Sequence, residues 1–282
     1  MNIGKPGSHS GSNLAAFALG WSVVLIAVGA VLADPARIGV DSHAYWMAWR
    51  HGLYGPGTSF GEAGAYLYSP AFAASLLPLA ALPLRLFQIG WFLLSCGAWA
   101  WLLAPVRLPV RIPLLLACAV ISLVGNVEWL IALSLVLAAR WPSAWAIPML
   151  TKVSFGVGIL WYVARAEWRK LAVVLLTLGL VALVTAFLPW LPWLEFLVSN
   201  AGGGYVLGFG VPTWLRAMVA GVVIIWGART DRFWAIPFAM VLVSPNIWVG
   251  TFTILAAVPR MPRPRRLGPT IPASAAPAAT PV

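Results

Sequence analysis

The chain has 282 residues, of which 61% are hydrophobic and only 9% are charged, whereas about 25% of a soluble domain is charged. That balance excludes a single soluble core. The net charge of +11 could suit nucleic acid, but the Lys and Arg residues lie singly or in small groups between apolar blocks, as in the cytoplasmic loops of membrane proteins. We therefore expect membrane lipids, and no nucleic acid, among its partners.

The apolar blocks predict helices that cross a bilayer. A hydrocarbon core of roughly 30 Å takes about 20 helical residues, and the first block, residues 14–33, has that length. The blocks are too continuous for the roughly 10-residue alternating strands of a barrel. We predict an all-α polytopic protein of the cell membrane, a helical bundle of about eight to ten transmembrane segments.

The amino-terminal third combines a predicted helix with the longest polar stretch. Residues 1–13 are predicted to be a cytoplasmic tail, and residues 14–258 the transmembrane domain. Block 14–33 is predicted to be an uncleaved first helix, with a signal peptide as the alternative. Residues 34–69 hold three of the seven acidic residues and two of the three histidines, so we expect function to concentrate in this first loop.

The remainder alternates apolar segments with short polar breaks. Residues 82–85 and 125–128 are predicted turns, and residues 259–282 are predicted to be a disordered tail, basic and then rich in Pro and Ala. Residues 70–103 are predicted to form two helices joined by the turn at 82–85. The other predicted spans cover residues 112–124, 129–139, 145–164, 171–188, 212–227, 233–243 and 247–258.

Basic loops 165–170 and 229–232 predict which side each loop occupies. With those loops in the cytoplasm, loops 34–69 and 189–210 and the turn 244–246 face the cell exterior. Arg107 and Arg111 conflict with this scheme, because counting spans places them outside whereas their charge favours the cytoplasm.

Three stretches of sequence occur in an informative order. The first is VDSHAYWMAWRHGLYG followed by YLYSPAFAASLLPLAALP, the second is GNVEWLIALSLVLAAR followed by TKVSFGVGILWYVARAEWR, and the third is SPNIWVGTFTILAAVP. Together they resemble the polyprenol-phosphate-mannose-dependent glycosyltransferases of the GT-C class, specifically the bacterial alpha-1,2-mannosyltransferase-like group.

The resemblance implies roles for individual residues. It implies that Asp41, in the loop after the first helix, is the catalytic base. It also matches Tyr68 with Ser69 and Pro70 to the entry of the second helix, Asn126 to a Gly-Gln type turn, Lys152 to an intramembrane lysine, and SPNIW to an element near the site. The implied substrates are a polyprenyl phosphate sugar donor and a lipid or glycan acceptor.

The chemistry of such a transfer suits one carboxylate. The departing phosphate is a good leaving group, so a single base that deprotonates the acceptor hydroxyl can suffice, a role worth about 10²–10⁴-fold. Hydrolases that expel an alcohol need a carboxylate pair. A cation should neutralise the departing phosphate, and Lys152 or His43 could do so. We expect no cofactor and no required metal.

Each candidate also has a structural interpretation. Asp41 could be a helix N-cap, and Glu128 a solvated turn residue. Lys152 could lie near the middle of the membrane or on a re-entrant turn after Pro148. Tyr45 could be an interface anchor instead of a sugar platform. His43 and Glu62 are the remaining substrate-binding candidates, beside Tyr45, Tyr68, Asn126, Glu128 and Lys152.

Two other functions stay open. A transporter or flippase would use Glu128 and Lys152 to line its path, although no inverted repeat of broken helices is visible. A non-catalytic membrane protein related to GT-C enzymes is the third possibility. The concentration of polar residues in one loop favours the enzyme.

Overall fold

The structure, a computed structural model, describes residues 9–50, 52–54, 65–199 and 211–262. The described residues form helices joined by turns, and none of them forms a strand. The predicted all-α class is therefore confirmed. The α-helices are α1 His9–Leu32, α2 Val40–Met47, α3 Pro70–Ala80, α4 Leu84–Leu103, α5 Leu108–Ser122, α6 Glu128–Ala138, α7 Ala146–Thr151, α8 Leu160–Ala164, α9 Trp168–Val184, α10 Trp190–Ser199, α11 Thr213–Arg229 and α12 Ala235–Val243.

Among the described residues, α4 alone is long and apolar enough by itself to cross a bilayer. Segments Phe17–Leu32 and Pro35–Met47 would add a second span if that pair, bent by 89°, were counted as one. Several further apolar helices have 10–17 residues. The crossing of a membrane and the count of about eight to ten spans therefore stay predictions.

Both ends of the chain contain more helix than the sequence predicted. Helix α1 begins at His9, so residues 9–13 of the predicted tail belong to it. A 3₁₀ helix, Val249–Arg260, includes the first two residues of the predicted disordered tail. The rest of that tail, from residue 263, lies outside the described residues.

Block 145–164, predicted as one span, is divided into four short helices. They are the 3₁₀ helix Pro142–Trp145, α7, the 3₁₀ helix Val153–Ile159 and α8. Lys152 separates the two middle pieces with extended backbone angles, φ −130° and ψ 91°. Pro148 is the third residue of α7, a first-turn position where its missing N–H costs no helical hydrogen bond, so the interruption lies at Lys152 itself. The re-entrant alternative for Lys152 therefore fits the backbone better than a continuous helix.

The predicted loop 189–210 contains helix α10. Its sequence WLPWLEFLVS has one proline, Pro192, which is tolerated because it lies in the first turn, where N–H groups have no helical partner. The prediction of a loop was wrong for Trp190–Ser199. Residues 200–210 lie outside the described residues.

Helix α3 lies beside α2 and the residues that follow it. The Trp49 indole N–H donates to the Ala73 carbonyl at 2.9 Å, and the Arg50 guanidinium donates to the Ala80 carbonyl at 2.9 Å. These bonds join the first loop to both ends of α3. At about 1.5 Å per residue, the 11 residues of α3 extend only ~16 Å.

Helix α4 connects two chemically different ends of the molecule. Near its start, Gln88 donates to the Gly39 carbonyl at 3.2 Å, beside Asp41. Near its end, Arg260 donates to the Trp101 carbonyl at 2.7 Å, close to the basic start of α5. At about 1.5 Å per residue, these two contacts are ~20 Å apart along the helix.

Candidate functional site

The candidate site forms where α2 meets the turn between α5 and α6. The Gly39 N–H donates to the Leu123 carbonyl at 2.8 Å, and the Asp41 N–H donates to the Val124 carbonyl at 3.1 Å. Gly39 is the N-cap of α2, with a φ of 75°, and Asp41 is the second helical residue. The N-cap interpretation of Asp41 was therefore wrong.

Gly125 allows this close contact. Its φ is 89°, and an added Cβ would lie 2.6 Å from the backbone nitrogen of Ser42. Real Cβ atoms do not approach backbone atoms so closely, and a positive φ strains any residue with a side chain. Gly125 therefore brings the residues after it, Asn126 to Glu128, against the first turn of α2.

Asn126 and Glu128 carry buried polar atoms without partners. Six buried side-chain nitrogen and oxygen atoms lack a hydrogen bond among the described residues, and four of them belong to Asn126, Glu128 and Trp129. Both amide atoms of Asn126 and Oε2 of Glu128 are in this group. Buried polar groups are nearly always paired, so three neighbouring residues with unpaired atoms are exceptional and mark this part of the chain as a candidate site.

Lys152 is paired with Glu128. The Lys152 Nζ lies 2.5 Å from Glu128 Oε1, and the Glu128 side chain is 1% exposed whereas that of Lys152 is 21% exposed. The structure thus brings together two residues that are 24 positions apart. Glu128 starts α6 and is buried, so it is not a solvated turn residue.

Asp41 lies within the electrostatic reach of this pair. Burial, and then the negative charge of Glu128, raise the pKa of Asp41 to about 7, while the charges of Lys152 and Arg37 oppose the rise. No described residue hydrogen-bonds its carboxylate. Asp41 can therefore exchange a proton near neutral pH, as a general base must.

Tyr45 and Tyr68 form one wall beside these carboxylates. The Tyr45 hydroxyl donates to the Tyr68 hydroxyl at 3.2 Å, and their rings meet edge to face at 5.4 Å. Burial, followed by the charges of Asp41 and Glu128, raises the pKa of Tyr68 well above its ordinary value. Both phenols therefore remain neutral, and Tyr45 is a buried wall residue instead of an exposed interface anchor.

The neighbours of Tyr68 explain the start of α3. The Ser69 hydroxyl accepts from the Phe72 N–H at 3.2 Å as the N-cap, and Pro70 follows at the first helical position. The Ser69 N–H donates to the Leu150 carbonyl at 3.0 Å. This link fixes α3 against α7, whose end carries Lys152.

Two other candidates are not joined to this cluster by a described contact. His43 stacks on Trp46, with ring centroids 6.2 Å apart. Glu62 lies outside the described residues. The cluster therefore consists of Asp41, Tyr45, Tyr68, Asn126, Glu128 and Lys152.

Three residues that the sequence reasoning did not select also shape the site. The Trp91 indole N–H donates to the Asn126 carbonyl at 3.1 Å, Gln88 binds Gly39, and Arg37 acts on Asp41 electrostatically. Nothing in the sequence distinguishes Trp91 from the other 16 tryptophans, because its role depends on helix packing.

A cleft of about 240 Å³ opens where these elements meet. Ser42 and Gly125 line it together with Gln88 and Trp91 of α4. In the third motif, Trp248 packs against the hydrophobic cluster that contains Ile121 and Val124. The three motifs therefore converge on one end of α5.

Within the described ranges, no group of three or more His, Cys, Asp or Glu side chains could hold a metal ion.

Comparison with protein-family models, with curated proteins and with solved structures finds no match.

Proposed function

We propose that this chain is an integral membrane glycosyltransferase that moves a hexose from a polyprenyl phosphate carrier to a lipid or glycan acceptor. The hexose that we propose is mannose. The observation that carries the proposal is the cluster of unpaired buried polar atoms on Asn126 and Glu128 beside a carboxylate with a pKa of about 7. Sugar hydroxyls both donate and accept hydrogen bonds, so they could satisfy the Asn126 amide and the free Glu128 oxygen.

The contacts of α4 support an active site on the extracytoplasmic side. Asp41 lies near the start of α4, and the basic residues Arg107, Arg111 and Arg260 lie near its end. If α3 stays with the first loop instead of crossing, Arg107 and Arg111 fall on the cytoplasmic side. That arrangement removes the conflict between their charge and the count of spans.

Contacts between loops 165–170 and 229–232 support the same assignment of loops to the two sides of the membrane. Arg165 forms an ion pair with Asp231, with Nη1 3.0 Å from Oδ1. The same guanidinium nitrogen donates to the Ala228 carbonyl at 3.0 Å. These two basic loops therefore lie together, as a shared cytoplasmic position requires.

In the transfer, the Asp41 carboxylate takes the proton of the acceptor hydroxyl as its oxygen attacks the anomeric carbon. The bond between that carbon and the phosphate oxygen breaks, and the polyprenyl phosphate leaves with the electron pair. The donor configuration is inverted. Lys152 uses one N–H on Glu128 and has two more donors for the phosphate.

The direct test supplies membranes containing the chain with a panel of radiolabelled polyprenyl phosphate sugars. We expect transfer of label from one donor to lipid or glycan, and at least about 10²-fold slower transfer by membranes containing Asp41→Asn. Absence of transfer from every donor, with the protein inserted and folded, would contradict the enzymatic proposal.

Sidedness is tested by cysteine labelling in a Cys96→Ala, Cys118→Ala background. We expect an impermeant reagent to label Ser59→Cys in intact cells, and Arg107→Cys only after permeabilisation. Labelling of Ser59→Cys only after permeabilisation would overturn both the topology and the lipid-linked donor.

One observation favours a transporter as a second candidate. The buried Glu128–Lys152 pair lies at the break between α7 and the helix after it, and transporters place ion sites at broken helices. A transporter would show no sugar transfer in either the wild type or Asp41→Asn. Solute flux across the membrane would instead depend on Glu128.

A further inference from the structure

Two charged side chains of the candidate site are partly exposed, and a third lies behind them. Lys152 and Asp41 are both partly buried, whereas Glu128 is buried. No described residue hydrogen-bonds the Asp41 carboxylate, and the ammonium of Lys152 has two N–H donors beyond the one that binds Glu128. A molecule that enters the site therefore meets Lys152 and Asp41 first.

The positive charge of this cluster does not balance its negative charge. Lys152 Nζ lies 2.5 Å from Glu128 Oε1, so one ammonium serves two carboxylates. Arg37 also acts on Asp41. However, Arg37 pairs with Asp34 at 2.9 Å and has an exposed side chain, where water and salt screen its charge. With both carboxylates ionised, the cluster carries excess negative charge.

The other titratable groups near Asp41 leave this excess in place. All of the charges that act on Asp41 belong to the residues named above. Burial above all raises the pKa of Tyr45 and Tyr68, so both phenols are neutral. The remaining titratable side chains of α2 and of the helices packed against it are those of His43, Arg85 and Cys96. Asp41 therefore keeps an unbalanced negative charge when it is ionised.

A phosphate that binds Lys152 adds one more negative charge to the cluster. The phosphate of a lipid-linked sugar is a diester, so it carries a single charge that does not titrate near neutral pH. A like charge disfavours the ionised form of a neighbouring carboxyl. Glu128 is held ionised by its contact with Lys152, whereas Asp41 has no such contact among the described residues. Asp41 is therefore the group that should accept a proton.

We propose that the donor and a proton bind together: the donor phosphate contacts Lys152, and the Asp41 carboxylate takes a proton from solvent. The inference rests on the proposed function, because that function supplies an anionic donor. It adds that donor binding strengthens the base, since a carboxylate that holds its proton more tightly is a stronger base toward the acceptor hydroxyl. The protonated site binds the anion better, so donor affinity falls as pH rises.

The test titrates the full chain in detergent with synthetic farnesyl phosphate mannose by calorimetry. Two buffers of different ionisation enthalpy are used, each with a protein-free detergent blank, and the difference in heat counts the protons taken up. If the donor raises the pKa of Asp41 by about one pH unit, uptake near pH 7.5 should be about half a proton per donor. Donor affinity should then fall about tenfold between about pH 6 and pH 9.

Three variants assign the proton to a residue. Asp41→Asn cannot take it up, so this variant should bind the donor without proton exchange and with an affinity that does not change with pH. Asp34→Asn removes an exposed acid of the same loop, and His43→Gln removes the imidazole of α2. Both should take up the proton as the wild type does. Uptake that persists in Asp41→Asn, or disappears in His43→Gln, would overturn the assignment to Asp41.

A rate measurement tests the same coupling in the wild type alone. The pH dependence of transfer reports the free protein at limiting donor and the donor complex at saturating donor, so the midpoint should lie about one pH unit higher at saturating donor. Equal midpoints, or donor binding without proton exchange, would overturn the coupling and leave the proposed function standing. Failure of the wild type to bind the donor would overturn the proposed function itself.

Discussion

Arg216 on α11 and Asn126 before α6 are both buried polar residues, yet their surroundings differ in one decisive respect. The Arg216 guanidinium donates to the carbonyls of Leu242 and Ser244 at 3.0 and 2.6 Å, and to the Thr213 hydroxyl at 3.0 Å. The side chain of Asn126 has no described partner at all. Both are almost inaccessible, at 6% and 2% exposure.

The contrast separates structural from functional polar residues. Arg216 supplies positive charge to the carboxyl end of α12, where unpaired carbonyls and the helix dipole favour a cation. Its contacts are complete within the chain, so its contribution is to stability. Asn126 and Glu128 bury polar atoms without compensation, at about 1–3 kcal/mol for each unsatisfied group, and a ligand could recover that cost.

The largest expected effect is on Asp41, the carboxylate of the unsatisfied cluster. Asp41→Asn keeps size but removes the basic oxygen, so transfer should fall by at least about 10²-fold, with donor binding retained. Gly39 is the N-cap of α2, so the variant loses no cap and its melting temperature should be no lower than that of the wild type. Transfer rate and a melting curve in detergent check both statements.

Asp34→Asn is the matched control for that variant. Asp34 is an exposed acid of the same loop, paired with Arg37 at 2.9 Å, and exposed pairs contribute little. We expect near-normal transfer. Equal activity of Asp41→Asn and Asp34→Asn would leave the mechanism without its base, and Glu62 or Glu128 would take its place as the candidate.

The second prediction is a pH dependence. Because the pKa of Asp41 is raised to about 7, the base is protonated in acid, and transfer should fall about tenfold per pH unit below that value. A rate that is independent of pH between about 5 and 7 would contradict the role of Asp41.

The same shift predicts the opposite trend for stability. The folded protein holds this proton more tightly than the unfolded chain, so the stabilisation is complete below the ordinary value of 3.8 and is lost as pH rises through about 7. Wild type should therefore lose melting temperature relative to Asp41→Asn as pH rises. Parallel melting curves across this range would exclude a raised pKa.

The third prediction concerns Lys152, which the sequence presented as a free cation. The pair with Glu128 changes the expectation for Lys152→Met, because the substitution leaves a buried carboxylate unpaired and should cost about 3–5 kcal/mol of stability. Donor binding should also weaken. Chemical unfolding and donor titration measure the two effects separately.

The double variant Glu128→Gln, Lys152→Met distinguishes these effects. Neutralising both partners should restore much of the stability that Lys152→Met loses. If Lys152 contacts the phosphate, donor binding stays weak in the double variant even though its stability has recovered. Recovery of donor binding together with stability would make Lys152 a structural partner of Glu128 alone.

The sequence predicted several features because their causes are local. The turn at residues 82–85 falls between α3 and α4, and Pro83 together with the break in hydrophobicity marks it. Gly125 and Asn126 were selected as a turn, and Gly125 has the positive φ that such a turn needs. Lys152 was recognised as an unusual charge within an apolar block.

What the sequence did not predict depends on long-range packing. The contact of Gly125 with Ser42, and the pairing of Glu128 with Lys152, join residues far apart in the chain. The buried state of Tyr45 follows from its neighbours Tyr68, Phe72 and Trp91, whereas the local pattern equally favoured an interface anchor. Helix α10 was missed because Pro189 and Pro192, at its start, are typical of loops.

The last prediction compares substitutions of the two kinds of buried polar residue, and its expected effects are the smallest. Arg216→Met removes the donors of the Leu242 and Ser244 carbonyls, so it should lower stability by about 1–3 kcal/mol and leave the donor affinity of the folded protein unchanged. Asn126→Leu removes two unpaired polar atoms at similar volume, so stability should stay level or rise. If the Asn126 amide binds the sugar, the same variant should bind donor about tenfold more weakly. Unfolding and donor titration of the two variants therefore give opposite patterns. Destabilisation by Asn126→Leu with unchanged donor affinity would place Asn126 with Arg216 among the structural residues and remove the main support for a sugar site.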